Sequence, residues 1–131
     1  MLRDFLDQLC VELEMVTPPI QDKKAALEIG KVEVTLGDLA PGISLRATIG
    51  PCPKERKEEL FTQLMRANYL GQGTGGARIG LSPDELLLTL SLGLSYELSY
   101  RAFREKFEDF VNFVLYWREE LEKFATMQRM L

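Results

Sequence analysis

The residues in this sequence with the clearest likeness to a chemical motif are Gly71, Gly73 and Gly76, which match G-x-G-x-x-G within ANYLGQGTGGARIGL. In dinucleotide-binding enzymes such glycines follow a strand and open a helix, whose free N–H groups bind the pyrophosphate. Here the predicted order is reversed, because a helix precedes the glycines and a strand follows them. The negative end of that helix dipole repels phosphate. We therefore predict that Gly71 ends the helix in the left-handed conformation, that a surface loop follows, and that no nucleotide binds there.

The sequence does not contain the residues that other common catalytic mechanisms need. The chain contains no histidine, which removes His-based triads, imidazole metal ligands and the commonest general base. Paired acids such as Glu58-Glu59 lie on predicted helix surfaces, where a solvated face is the simpler interpretation. Cys10 and Cys52 form no C-x-x-C motif and are expected to be reduced thiols. The sequence therefore predicts no catalytic residue, no metal ligand and no cofactor-binding residue.

Composition and charge narrow the possible partners. The chain has 131 residues, is 46% hydrophobic and 27% charged, and carries a formal net charge of −4. This acidity argues against nucleic acid and anionic membranes as partners. Acidic residues interrupt the N-terminal segment, unlike a signal peptide, and LLLTLSLGL is too short to span a bilayer. We expect one domain over residues 1–131, in the cytoplasm and without membrane insertion.

Hydrophobic periodicity predicts a helix, three strands and a second helix in the first half of the chain. An apolar stripe indicates an amphipathic helix over Leu2–Val16, ended by Thr17-Pro18-Pro19. The segment ALEIGKVEVTLG predicts two strands that turn at Gly30-Lys31, and ISLRATIG predicts a third, so the three form a meander. The second helix is expected over Lys54–Tyr69.

The second half of the chain predicts a hairpin and a long helix. ARIGLS and LLLTLSL alternate around a turn at Ser82–Glu85, with Leu86, Leu88, Leu90 and Leu92 on one face of the second strand. Ser99 is a plausible N-cap for the last helix. Apolar residues along it repeat as in a heptad, and flanking apolar residues such as Val111 widen that seam, which favours packing on a sheet: Phe103, Phe107, Phe110, Val114, Trp117, Leu121 and Phe124. The predicted order is α-β-β-β-α-β-β-α, an α+β fold in which helices pack on an antiparallel sheet.

This ordered set of segments resembles the class I chaperones of bacterial type III secretion, the Tir chaperone (CesT-like) family. Three stretches carry the resemblance: LRATIGPCP, LFTQLMRANYLGQGTGGARIGLSPDELLLTLSLGL and FEDFVNFVLYWREELEKF. The family pattern includes a Gly-x-x-Pro turn, a helix that closes on Ala-Asn, a glycine-containing loop, a hairpin, and a final helix with F-V and W, here Phe110-Val111 and Trp117. The resemblance runs from Leu2 to Phe124, and it is the order of the motifs that is specific.

The resemblance implies a role without catalysis and without a cofactor. Such chaperones are homodimers that hold the N-terminal segment of a secreted effector extended, soluble and ready for the secretion ATPase. The implied partners are therefore secreted effectors, a second copy of the chain and the secretion ATPase. Two alternatives remain at this point: a dimeric adaptor that binds a folded partner, and a small enzyme that uses a carboxylate pair or the glycine loop.

Candidate contact residues follow from the helical wheel and from the resemblance. Val11 and Met15 fall opposite the buried stripe of the first helix, either as ordinary surface residues or as the floor of a client groove beside an edge strand. We assign Val32, Val34 and Leu45 to the same client surface. The resemblance places the dimer interface on the second helix and on the strand after the glycine loop, at Leu60, Leu64, Ile79 and Leu81.

Overall fold

Eight helices and strands form within residues 1–71 and 74–130, the part that the computed structural model describes, apart from the side chains of residues 70 and 128–130. The helices are α1 (Leu2–Glu12), α2 (Lys57–Leu70) and α3 (Tyr100–Met130). The strands are β1 (Lys24–Ile29), β2 (Val32–Asp38), β3 (Ile43–Pro51), β4 (Arg78–Leu81) and β5 (Leu87–Leu94). Their order, α-β-β-β-α-β-β-α, confirms the predicted α+β fold.

The strands form one antiparallel sheet in the order β1-β2-β3-β5-β4. The β1–β2 and β4–β5 hairpins turn where the sequence predicts: Ile29 pairs with Val32, and Leu81 pairs with Leu88. Alternation along the strands sends one set of side chains to the buried face, as in Leu36 opposite Leu45. The other face carries charged and small polar residues.

α3 covers the buried face of the sheet. The predicted seam is buried from Phe103 to Leu121, and Phe124 packs half-buried at its end. α3 crosses β3 most closely, so the seam packs on the sheet as predicted. The Ser99 hydroxyl accepts a hydrogen bond from the Ala102 N–H at 3.2 Å, which confirms Ser99 as the N-cap. Each fully buried seam side chain stabilises the fold by roughly 1.5–3 kcal/mol.

α1 ends at Glu12, earlier than the predicted Val16. The chain turns there in a Schellman-type cap, because Glu14 adopts φ 55° and the Met15 N–H donates to the Cys10 carbonyl oxygen at 2.9 Å. The cap takes the following residues out of the buried stripe, and Val16 is 91% exposed. The helix therefore stops before the prolines that were expected to end it.

Two further boundaries differ from the prediction. α2 begins at Lys57 rather than Lys54, because Arg56 adopts a left-handed conformation that interrupts the helix on its N-terminal side. Leu86 lies before β5 and is exposed, so it does not share the buried face with Leu88 and Leu90. The Cys52 N–H bonds the Leu86 carbonyl oxygen at 2.8 Å, which continues the register of Pro51 opposite Leu87 beyond the end of β5.

Candidate functional site

The glycine loop closes on itself at the C-terminal end of α2. Gly71 caps the helix with φ 71°, as predicted, and its carbonyl oxygen accepts the Gly76 N–H at 2.8 Å. The buried Thr74 hydroxyl lies 2.6 Å from the Ala77 carbonyl oxygen and donates to it. Gly73, the middle glycine of the motif, lies outside the described residues. The loop thus follows a helix and leads into a strand, the reverse of a dinucleotide-binding arrangement.

The described residues contain no cluster of three carboxylate or thiol side chains that could hold a metal ion. Both cysteines are free, with Cys10 buried and Cys52 half-buried, and burial raises the pKa of the Cys10 thiol. A raised thiol pKa disfavours the reactive thiolate. Within the described part of the chain, no helix is long and apolar enough to cross a membrane.

A cleft of about 280 Å³ lies between the end of α1, the end of β1 and α3. We name it the α1 cleft. Its floor is apolar, and its rim carries two carboxylates, a guanidinium and an amide; floor and rim together are Leu9, Leu13, Ile29, Phe107, Val111, Glu12, Arg104, Glu108 and Asn112. An apolar floor with a polar rim suits a large apolar side chain from a peptide.

The rim of the α1 cleft contains an ion pair, and its Glu12 carboxylate also acts on Tyr100, which is not part of the cleft lining. Arg104 Nη1 lies 3.4 Å from Glu12 Oε2. Burial, and next the nearby Glu12 carboxylate, raise the pKa of Tyr100 to about 12. The Tyr100 hydroxyl and Arg104 Nε are buried without a well-formed hydrogen bond to any described residue. The Arg104–Glu12 contact, which joins α3 to the end of α1, is therefore the ion pair of the rim.

The outer edge of β1 is open beside this cleft. The Lys23 carbonyl oxygen accepts the Asp38 N–H beside β2, whereas Lys24 exchanges both its backbone hydrogen bonds with Gln21 on the other side. Because antiparallel strands alternate in this way, Ala26 and Glu28 direct their N–H and C=O groups away from β2. The next residue, Ile29, lines the α1 cleft. A strand added at this edge would therefore lie next to the cleft.

The opposite edge of the sheet is closed by one side chain. Asn68, near the end of α2, accepts the Ile79 N–H at 2.9 Å and donates from Nδ2 to the Ile79 carbonyl oxygen at 2.9 Å. The amide thus occupies the position that a neighbouring strand would take on β4. Closing an edge in this way prevents unwanted strand pairing.

A second apolar cleft, about 270 Å³, lies between α2 and β4. We name it the α2 cleft, and its lining residues are Phe61, Leu64, Met65, Asn68, Ile79, Gly80, Leu81 and Leu88. Met65 is 71% exposed and Leu81 is also exposed. Exposed apolar side chains around an apolar depression are typical of a protein–protein contact.

The client residues expected from the sequence fall into two groups. Val11 and Met15 are exposed, Val11 by 77%, although the Leu13 side chain between them is the one that lines the α1 cleft. Val32, Val34 and Leu45 require a correction, because strand alternation places all three in the core. They support the sheet and offer no surface to a client.

The residues expected at the dimer interface also differ in how exposed they are. Leu60, Leu64 and Ile79 are buried within the protomer, and Leu81 is exposed. Leu64, Ile79 and Leu81 line the α2 cleft, whereas Leu60 packs beneath it in the core. Together with Met65, they outline a surface that a partner could cover.

Sequence reasoning missed the residues that make the α1 cleft. Ile29, Arg104 and Glu108 meet Leu13 only through tertiary packing, which no local pattern encodes. One signal was available, because Val111 widens the heptad seam beyond the stripe that faces the sheet. An apolar residue on the flank of a sheet-packed helix indicates that something else covers that flank.

Comparison with known proteins supports a single family. Residues 5–118 match the model of the Tir chaperone protein (CesT) family. No curated protein sequence matches the chain significantly. Solved structures share the fold, among them a chain of the HopA1–SchA chaperone–effector complex, with TM-score 0.70, 20% identity, and coverage of 89% of this chain and 92% of that chain.

Two further structures have the same fold at low identity. A chain of the ExsC–ExsE complex has TM-score 0.75 and 17% identity, with 90% of this chain and 91% of that chain covered. A chain of the heterodimeric ExoU–SpcU complex of the Pseudomonas aeruginosa type III secretion system has TM-score 0.68 and 15% identity, with 92% and 94% covered. Because the family match spans most of the chain and the fold agrees, this protein belongs to the Tir chaperone (CesT) family.

Proposed function

We propose that this protein is a non-enzymatic cytoplasmic chaperone that binds the N-terminal segment of type III secretion effectors and keeps it extended. The single observation that carries the proposal is the open β1 edge at Ala26 and Glu28, which leads directly into the α1 cleft through Ile29. Family membership and the likeness to a chaperone–effector complex support the same role. The whole chain, 1–131, acts as one chaperone domain in this proposal.

An extended client can bind the open β1 edge and the α1 cleft at the same time. Its backbone pairs with the outward N–H and C=O groups of β1, and its alternate side chains reach the α1 cleft. The exposed apolar residues Val11 and Met15 extend the client surface beyond Leu13. The client beyond the bound stretch stays unfolded and available to the secretion ATPase.

The same proposal includes a homodimer formed through the α2 cleft. Met65 and Leu81 supply exposed apolar area there, and Leu64 and Ile79 form the floor. Dimerisation would cover this surface and leave the β1 edge free, because β1 and β4 are at opposite edges of the sheet.

The test is a proline placed at the open edge. The Ala26 N–H points away from β2, so Ala26→Pro removes a donor that the client needs and none that the sheet uses. We expect effector binding, measured with the effector that co-purifies from the native bacterium, to weaken about tenfold or more. The matched control, Ala26→Val, keeps the N–H and keeps the affinity. Equal affinity of both variants for the effector would contradict strand addition at β1.

Side-chain variants test the cleft separately. We expect Leu13→Asp, and the double change Val11→Asp with Met15→Asp, each to weaken effector binding about tenfold with little change in melting temperature. Leu39→Asp is the control, since Leu39 is also an exposed apolar residue and lies in the β2–β3 loop. Hydrogen exchange on the bound effector distinguishes the alternative role, because an adaptor for a folded partner leaves the effector's own amides protected.

A further inference from the structure

A third cleft, larger than the α1 and α2 clefts, lies further along α3 from the α1 cleft. Its volume is about 570 Å³, and it lies between the end of β3 and the C-terminal part of α3. Ile49, Pro51, Leu121 and Ala125 give it apolar walls, and its charged lining residues are Glu55, Arg118 and Glu122. We name it the β3 cleft. Like the α1 cleft, it combines apolar walls with a carboxylate from α3.

The two clefts open on one flank of α3. Glu108 at the α1 cleft and Glu122 at the β3 cleft are fourteen residues apart, with Leu115 midway between them. At 3.6 residues per turn, this spacing brings Glu122 within about 40° of Glu108 around the helix axis. Leu115 is 47% exposed between the clefts, and the polar residues Asn112, Arg118 and Glu119 surround it on α3. One exposed apolar side chain therefore lies between the two clefts.

Both carboxylates lack a cation although an arginine lies one turn before each. Arg104 turns away from Glu108 to pair with Glu12 at 3.4 Å. Arg118 turns away from Glu122, because its guanidinium donates to the carbonyl oxygens of Lys31 at 2.7 Å and of Thr48 at 3.0 Å. Among the described residues, neither Glu108 nor Glu122 has an ion-pair partner. Each cleft thus holds one α3 carboxylate without an ion pair to a described residue, beside an arginine that is bonded elsewhere.

The distance between the clefts sets the spacing that a bound peptide needs. Fourteen helical residues rise about 21 Å. An extended chain covers that length in about six residues. A peptide lying along the flank can therefore place one apolar residue in each cleft only if the two are about six positions apart.

We propose that this groove, from the α1 cleft over Leu115 to the β3 cleft, selects extended client segments with two large apolar residues about six positions apart, each next to a lysine or arginine. The basic residues pair with Glu108 and Glu122. This proposal rests on the proposed chaperone function and specifies the client sequence that the site accepts. It is a rule of spacing and charge, so it can be tested without knowing the effector.

The probe is a fluorescent synthetic peptide of about twelve residues, Gly/Ser-rich, with two Leu-Lys pairs whose leucines are six positions apart. Three comparison peptides have one Leu-Lys pair, leucines three positions apart, or glutamate in place of lysine. By fluorescence anisotropy we expect the first peptide to bind about tenfold tighter than each of the others. Equal affinities, or no binding of the first peptide at about 1 mM, would overturn the proposal.

Charge reversal in the protein gives a second readout. We expect Glu108→Lys with Glu122→Lys to abolish the preference for lysine over glutamate peptides. Glu105→Lys with Asp109→Lys makes the same net charge change on α3 outside the groove, and we expect it to keep that preference. A preference that survives the first pair of changes overturns the role of these carboxylates.

The effector itself separates this proposal from the function on which it rests. If Ala26→Pro weakens effector binding and the charge-reversed variant binds the effector as tightly as the native protein, the chaperone function stands and the groove rule fails. If the native protein binds no secreted effector, the proposed function fails whichever peptide binds best.

Discussion

Replacing Asn68 by alanine tests whether the Asn68 side chain closes the β4 edge of the sheet. The change removes both hydrogen bonds to Ile79, each 2.9 Å long, and leaves the backbone groups of a half-buried edge without partners. A neutral hydrogen bond contributes about 0.5–1.5 kcal/mol, so we expect a loss of about 1–3 kcal/mol in the free energy of unfolding. Alanine favours the helix by up to about 0.7 kcal/mol, which reduces the observed loss.

Urea unfolding of Asn68→Ala beside Gln63→Ala measures that loss. Gln63 is exposed on the same helix, so its replacement by alanine reports a helix-propensity gain, smaller than that of asparagine, without the edge contacts. The sharper measurement is hydrogen exchange at the Ile79 amide, which we expect to accelerate in Asn68→Ala and to remain slow in Gln63→Ala. If the two variants unfold within about 0.5 kcal/mol of each other and exchange Ile79 equally slowly, Asn68 does not close the edge.

Three further predictions concern the glycine loop, the dimer and Tyr100. Gly75→Ala forces a methyl group against the Phe113 ring at φ 64°, so we expect it to lower the free energy of unfolding by more than about 1 kcal/mol, and by more than Gly76→Ala, which meets open space at φ 89°. Met65→Glu is expected to give a monomer mass by light scattering at micromolar concentration with an unchanged far-UV circular dichroism spectrum, and a retained dimer mass would contradict the α2 interface. The pKa of Tyr100, about 12, lies above its ordinary value of 10, so the folded state favours the neutral phenol and loses stability as pH rises above 10. We expect Tyr100→Phe to reduce that alkaline loss of melting temperature, and an identical pH profile would show that another group causes it.

Much of the fold could be predicted because its periodicities are long and regular. The heptad seam of α3 and the alternation of β2 and β3 each repeat often enough to fix the type of element and its buried face. Boundaries were harder where a residue other than glycine takes a left-handed conformation. In this way α1 ends before Glu14, and α2 begins only after Arg56. Neither glutamate nor arginine is a residue type that predicts a left-handed conformation.

The candidate site could be predicted only in its general location. Val11 and Met15 are exposed as the helical wheel indicates, but alternation alone cannot say which sheet face a client meets. Val32, Val34 and Leu45 are apolar residues at alternate positions on strands, and this pattern places them in the core. The α1 cleft depends on Ile29 reaching α3, a contact between residues distant in sequence.

The two edges of the sheet differ in how their outward backbone groups are satisfied. At β4 a side-chain amide imitates a neighbouring strand and satisfies the outward groups of Ile79. At β1 the backbone bonds between Lys24 and Gln21 close only the first residue of the strand, and the groups of Ala26 and Glu28 remain available beside an apolar cleft. An exposed edge is a hazard for a stable protein, because any extended chain can pair with it. A protein whose role is to hold an extended chain needs such an edge, and only on the side where its clefts can choose the chain that binds.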